Sequence, residues 1–323
     1  MKTSHQPSSA NRRSLKYQIP SQPGVALIAV LWLIAILSLA AITSLRVISF
    51  DMELATAKVH GSRAFQLAEM GIAIGSNPAV ERNDPLLHRM DGKNNEEVHV
   101  TLTSEGARFN INSLVFAEDK TLIRSIFIHW GLDLDAAQAL ADALTDWTDS
   151  DDQTALNGAE EPEYGKIGRL NQPFNRPFYD IEEMRLVLGM NRIEALRPDW
   201  RTWFTVWSSG TLDLNEANAE LIAVAADVTE SQASIVPETV RGIDDIRDTE
   251  DDVPFKTPAE ALSLLGINAQ IRQDIAGRFT TDDTTTRIQS TARSGDSTRR
   301  ITAIVRNRTG KPAILDRTTE IIP

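Results

Sequence analysis

Val25 to Leu45, VALIAVLWLIAILSLAAITSL, is a run of twenty-one residues without a charge, and no other feature of the 323-residue chain constrains its fold so strongly. At about 1.5 Å of rise per residue such a run makes a helix of roughly 30 Å, the thickness of a bilayer's hydrocarbon core. A removable signal peptide has an apolar region of about 7–15 residues that ends at a small-x-small site. Ser38-Leu39-Ala40 is a poor version of that site, and the apolar run passes through it unbroken. The segment reads as a retained membrane helix.

Charge gives the helix a direction. Met1 to Phe50 holds five basic residues (Lys2, Arg12, Arg13, Lys16 and Arg46) and no acid, so with a net charge of −12 for the chain the remainder carries −17. Basic flanks stay on the cytoplasmic side, which predicts a cytoplasmic N-terminus, a single membrane pass and an exported body. The same imbalance argues against nucleic acid as a partner, because phosphates are neutralised by Lys and Arg. Cysteine is absent, which excludes disulfides, thiolate metal sites and thiol nucleophiles.

Past Leu45 no Gly occurs before Gly61 and no Pro before Pro78, so the helix can continue to about Ile74. Phe50, Leu54, Ala57, Phe65, Ala68 and Ile72 recur at three-to-four spacing, which predicts the face that packs on a domain.

Two segments then alternate as strands do. EVHVTLTSEGARFNINSL reads as a hairpin turning at Ser104-Glu105-Gly106, and TRIQSTARSGDSTRRITAIVRN as another turning at Gly295-Asp296. Between them the sequence reads as short capped helices, with Asp133 or Asp135 as the cap before ALADALTDW. The expected fold class is α+β: a long N-terminal helix on a small antiparallel sheet, with a large helical domain inserted between strands. The expected divisions are a leader (1–24), a transmembrane half-helix (25–45), an amphipathic helix with the first hairpin (46–115), the inserted helical domain (116–280), and final strands with a tail (281–323).

Within the insertion, Asp146, Asp149, Asp151, Asp152, Glu160, Glu161 and Glu163 fall inside eighteen residues. Carboxylates at that density repel unless they are solvated or bridged by a hard cation, and calcium takes six to eight oxygens from loops of this kind. The spacing is not an EF-hand, since Thr154 stands where that loop needs glycine. A second acidic run, Asp244 to Asp252, reads as a solvated loop and not a metal site. His129, beside Trp130 in an apolar helix, reads as a boundary histidine. No HExxH pair, GxSxG elbow or phosphate-cradling glycine loop occurs, so the chain reads as a non-enzyme. LDLNEANAELIAVAAD is half of a helix-hairpin-helix module, but ADVTESQAS lacks the glycines that would present amides to a phosphate. That half-motif defines the alternative, a membrane-anchored helix-hairpin-helix protein of a type IV pilus or DNA-uptake system.

A basic, polar leader ending in Gly24, an apolar start at Val25 and one long helix entering a mixed domain resemble the type IV prepilins and pseudopilins. The resemblance implies that a prepilin peptidase cuts after Gly24 and methylates the amine of Val25, that the membrane is an inner one and that the body is periplasmic. The pattern usually begins with Phe and has Glu at the fifth mature position, whereas this chain has Val25 and Ala29. In such filaments that Glu is thought to compensate a neighbour's buried terminal amine, so Ala29 implies a subunit with no preceding neighbour to neutralise, at the filament tip. GVALIAVLWLIAILS, DWTDSDD, LNGAEEPEY, NQPF and DLNEANAE are similar to segments of the K-type minor pseudopilins of the type II secretion system, the general secretion pathway protein K family. That resemblance implies a structural calcium ion in the helical domain. It also implies partners among the other minor pseudopilins and the major pseudopilin, the inner-membrane secretion platform, and secreted cargo or the outer-membrane secretin.

Overall fold

The computed structural model describes residues 23–117 and 120–322. The basic leader expected over residues 1–22 lies outside them, while Gly24 and Val25 lie within. The chain divides into two compact units, one ending at Lys58 and one beginning at Val59.

Helix α1 runs from Pro23 to Ser76. Its apolar side chains through residue 58 are exposed, for example Trp32, Phe50 and Leu54. It is the one described helix long and apolar enough to cross a membrane.

In the second unit, β1 (His88–Asp91) and β2 (Glu96–Ser104) precede a long insertion. That insertion comprises β3 (Phe109–Asn110), α2 (Ile111–Phe116), α3 (Thr121–His129), α4 (Leu134–Thr148), α5 (Glu161–Lys166), α6 (Met190–Leu196), β4 (Phe204–Thr205), β5 (Leu212–Asp213), α7 (Ala219–Ala226), α8 (Glu230–Ala233), α9 (Ile235–Val240), α10 (Pro258–Leu264), α11 (Gln273–Ala276) and β6 (Phe279–Thr280). The chain returns as β7 (Thr285–Ser294), β8 (Ser297–Arg306) and β9 (Ala313–Ile322). The sheet is antiparallel in the order β1-β2-β7-β8-β9, so β2 and β7 are neighbours on either side of the insertion. The insertion is not purely helical: β3 pairs in parallel with β4, and β5 with β6.

Two cores follow from this layout. Leu67, Ala68 and Ile72 of α1 pack with Val98, Val100 and Leu102 of β2, Ile288 and Ala292 of β7, and Ile301, Ala303 and Val305 of β8. The helical insertion has its own core around Trp147, Tyr164, Trp200 and Trp203.

The face of α1 matches the expected one at Ala68 and Ile72 and differs from it elsewhere. Gly61, Ala64, Leu67, Gly71 and Gly75 are buried beside them, while Phe65 is 38% exposed. A side chain on Gly71 would collide with Ser290 and Val100, and one on Gly75 would reach Ile288 Cγ2 at 2.6 Å. Close approach of helix and sheet selects small residues at Gly71 and Gly75, which a search for large apolar residues passes over. Arg308 secures the helix end, donating from Nε to the Gly75 carbonyl at 2.6 Å and from Nη2 to the carbonyls of Asn77 and Val80. A basic side chain there satisfies carbonyls that the helix itself leaves open.

The hairpin expected to turn at Ser104-Glu105-Gly106 does not form. β2 pairs instead with β1 and β7, and the chain leaves the sheet through a short turn at Glu105–Ala107. Glu105 is wholly buried and meets Arg287 Nε at 2.5 Å, Arg108 at 3.5 Å and the Thr205 hydroxyl. Asn110 caps α2 by accepting from the amides of Asn112 and Ser113, so NINSL begins a helix and not a strand. The other hairpin matches the reading: Ser294 opposes Ser297, and Gly295 adopts φ +54°, the left-handed conformation that two-residue hairpin turns need.

Candidate functional site

Asp133 caps α4 by accepting from the Ala136 amide at 2.8 Å, and the apolar face behind it carries Leu140, Ala141, Leu144 and Trp147 into the core. This fixes the last turn of α4, where Asp146 is 1% exposed. Both Asp146 oxygens accept from the Ala155 amide, at 3.3 and 3.1 Å. Gly158 lies so close to this carboxylate that a Cβ would overlap it. The loop therefore folds back over a buried acid.

Asp149 ends α4, and its Oδ1 is buried without a hydrogen-bond partner. The same holds for Glu160 Oε1, Gln172 Oε1 and Asn175 Oδ1. Asn175 donates to the Asp151 carbonyl at 3.0 Å and to Asp152 Oδ1 at 3.1 Å, which ties the loop after α5 to the one before it. Phe174 packs edge-on against Trp147 at 5.0 Å between ring centres, seating this loop on the helical core.

The electrostatics follow from burial and mutual repulsion. Burial pushes the Glu160 carboxyl up to about 7, aided by the charges of Asp146, Asp149, Asp152 and Asp151. Burial, with Asp149 adding to it, pushes Asp146 up to about 6. Asp149 is raised as well, by burial and then by Asp151. Lys120, 3.6 Å from Asp142, is a nearby cation and only partly offsets this field.

Asp146, Asp149, Asp151, Asp152 and Glu160 are thus brought into one electrostatic cluster. Glu161 and Glu163 are not. Glu161 is exposed in the first turn of α5. Glu163 accepts from the Glu160 amide at 3.1 Å and meets Lys166 at 3.3 Å, which hold its carboxyl below the usual range.

The donor set fits a hard cation. All four orphaned atoms are oxygens, and calcium accepts carboxylate, amide and backbone oxygens alike. Among the described residues no three His, Cys, Asp or Glu side chains form a ready cage, so amide oxygens would have to contribute. Gln172 and Asn175 are the residues that the sequence reading missed. Their only signal was an amide-rich turn, NQPFN, between aromatic segments.

The other sites resolve differently. The run from Asp244 to Asp252 is not a bare solvated loop: Arg247 sits inside it, donating to Glu216 at 2.8 Å, the Asn215 carbonyl at 2.7 Å and Asp252 at 3.3 Å. Asp251 accepts from the amides of Ile243 and Asp244. His129 is a boundary residue, 3.0 Å from Glu220 and stacked near Trp203. The turn between α7 and α8 exposes Asp227 and Glu230, which repel a phosphate.

A long N-terminal helix on an antiparallel sheet, with a helical domain spliced between β2 and β7, is a pilin-like fold with an insertion. The particular likeness is to type II secretion system protein K: residues 107–198 match the family described as Type II secretion system (T2SS), protein K. It is 31% identical over 107 residues to the type II secretion system protein K of Klebsiella pneumoniae, covering 30% of this chain and 33% of that protein. It is 36% identical over 70 residues to that of Dickeya chrysanthemi, covering 22% of this chain and 19% of that protein. These matches span a third or less of the curated relatives' length. A chain in the crystal structure of the GspK-GspI-GspJ complex from the enterotoxigenic Escherichia coli type 2 secretion system shares the fold, with a TM-score of 0.58 and 15% identity over 84% of this chain and 98% of that one.

Proposed function

We propose that this chain is a minor pseudopilin of the type II secretion system, seated at the tip of the pseudopilus, where it initiates and caps the filament that moves folded proteins across the outer membrane. The observation that carries this reading is the insertion itself: a domain whose residues 107–198 match the protein K family interrupts the sheet between β2 and β7. A subunit carrying that bulk leaves no room for another stacked above it. Ala29 supports the same position, because a tip subunit has no preceding amine to neutralise. The exposed Phe50, Leu54 and Phe65 on α1 supply apolar area for the helices of other subunits. Counterparts of the GspI and GspJ named with the similar structure are the first partners to test. The role is one of assembly and not of catalysis. The body lies in the periplasm, the N-terminus in the cytoplasm.

Calcium belongs to this reading as a structural ion, held by Asp149, Asp151, Asp152 and Glu160 with the amide oxygens of Gln172 and Asn175, over the buried Asp146. Its role is to offset the repulsion that burial creates. Intact mass and terminal sequencing of the protein from membranes test the assignment. A chain beginning at methylated Val25 is expected, and one that keeps Met1 or begins near Ala40 overturns it.

A further inference from the structure

On the sheet face turned away from α1, two imidazoles meet. His88 of β1 and His99 of β2 are register partners, and both are exposed, whereas Val98, Val100 and Leu102 of β2 point into the core. Their Nδ1 atoms lie 2.7 Å apart, with ring centres at 4.3 Å. At that distance one ring donates and the other accepts, so at least one of the pair is neutral. His99 Nε2 lies 3.3 Å from Thr101 Oγ1, a partner that fixes this ring and leaves its Nδ1 lone pair directed at His88. A hydroxyl or carbonyl on the far nitrogen is the usual support of a metal-bound imidazole.

We propose that His88 and His99 form a binding site for a borderline divalent transition-metal ion of the Zn²⁺, Ni²⁺ or Cu²⁺ class, which replaces the proton shared by the two Nδ1 atoms. Imidazole nitrogens bind such ions at about 2.0–2.1 Å, and two of them on a tetrahedral centre sit about 3.3 Å apart. The rings need only part by about half an ångström. The proton on Nδ1 moves to Nε2 of the same ring, which faces solvent, so neither histidine has to lose charge beyond the neutral state. Water fills the remaining positions. The site is chemically separate from the carboxylate loop: imidazole selects borderline ions where carboxylate and amide oxygens select hard ones. It also sits on the outermost strand pair of the sheet, so a bound ion staples β1 to β2.

The test is Cu²⁺ titration of the full chain in detergent, with excess Ca²⁺ to saturate carboxylate sites, followed by electron paramagnetic resonance. One bound copper with two imidazole nitrogens is expected. His88→Gln and His99→Gln should each remove one nitrogen from the spectrum and weaken binding at least about tenfold. Both positions are exposed, and the wild-type spectrum is informative by itself. An unchanged nitrogen count in either variant, or no copper bound by the wild type at micromolar concentration, overturns the site without touching the assembly role.

Discussion

Glu160 illustrates how the burial of a single side chain couples stability to pH. Its folded-state value of about 7 lies above its ordinary 4.5, so between those values the native chain holds a proton that the unfolded chain has released. Stability of the cation-free protein therefore falls as pH rises through that window, with Asp146 acting the same way up to about 6. Melting followed from about pH 5 to about pH 8 in chelator should show a declining midpoint, and calcium should abolish the decline at the upper end. Glu160→Gln removes the ionisation: the chelated protein becomes more stable near neutrality and its calcium shift shrinks. Calorimetric titration that finds no heat and no stabilisation by calcium in the wild type would sink the structural-ion reading. Glu105 is the opposite case, a buried acid that is fully paired. Glu105→Ala strands Arg287, and the expected cost is about 3–5 kcal/mol in urea unfolding. Residue types announced the first of these sites and concealed the second. A dense acidic run is visible in a sequence, but a lone Glu between a strand and a helix looks like turn chemistry until its distant arginine is known.

Among helices and strands, legibility tracked the range of the forces involved. The hairpin at Gly295 was readable because its turn and its alternation are local. The pairing of β2 with β1 was not: β1 is four residues long and its side chains are mostly exposed, so it has no apolar signature. β9 was missed for a related reason, since as an edge strand it buries little and its polar alternation is weak. The helix α1 was legible in length and, at Ala68 and Ile72, in orientation. Its closest approach to the sheet is at Gly71 and Gly75, which a search for bulky apolar residues passes over. Gly71→Ala tests this directly. The added methyl meets Ser290 and Val100, and overpacking of that kind costs about 1–3 kcal/mol; urea unfolding at an unchanged slope would measure it. A neutral result would mean that the helix can lift from the sheet without penalty.

For the assembled subunit, the position of Ala29 carries the prediction. If the chain occupies a filament tip, Ala29→Glu should leave initiation of pseudopilus assembly nearly intact, because there is no preceding subunit whose amine it must satisfy. A secretion assay in cells carrying the variant as sole copy measures this, and severe loss counts against the tip position. The long-range architecture was recoverable from sequence in outline, since a membrane helix, two alternating segments and a capped helical stretch each leave a periodic trace. The interlocking of sheet and insertion was not, because it rests on Glu105, Arg287 and Thr205, which are far apart in sequence.

The splice between β2 and β7 has a temporal consequence. Ser104 and Thr286 are register partners, yet about 180 residues must be closed into a loop before they can meet, and long-range pairing of this kind is slow. The core of the insertion lies wholly within that loop, so its contacts span shorter stretches of chain and can form first, and once compact it holds the two strand ends near each other. The inserted domain then acts as an internal folding template for the sheet that contains it. Pulse-labelling hydrogen exchange during refolding should protect α3 and α4 before β2 and β7, and the reverse order would mean that the sheet closes unaided.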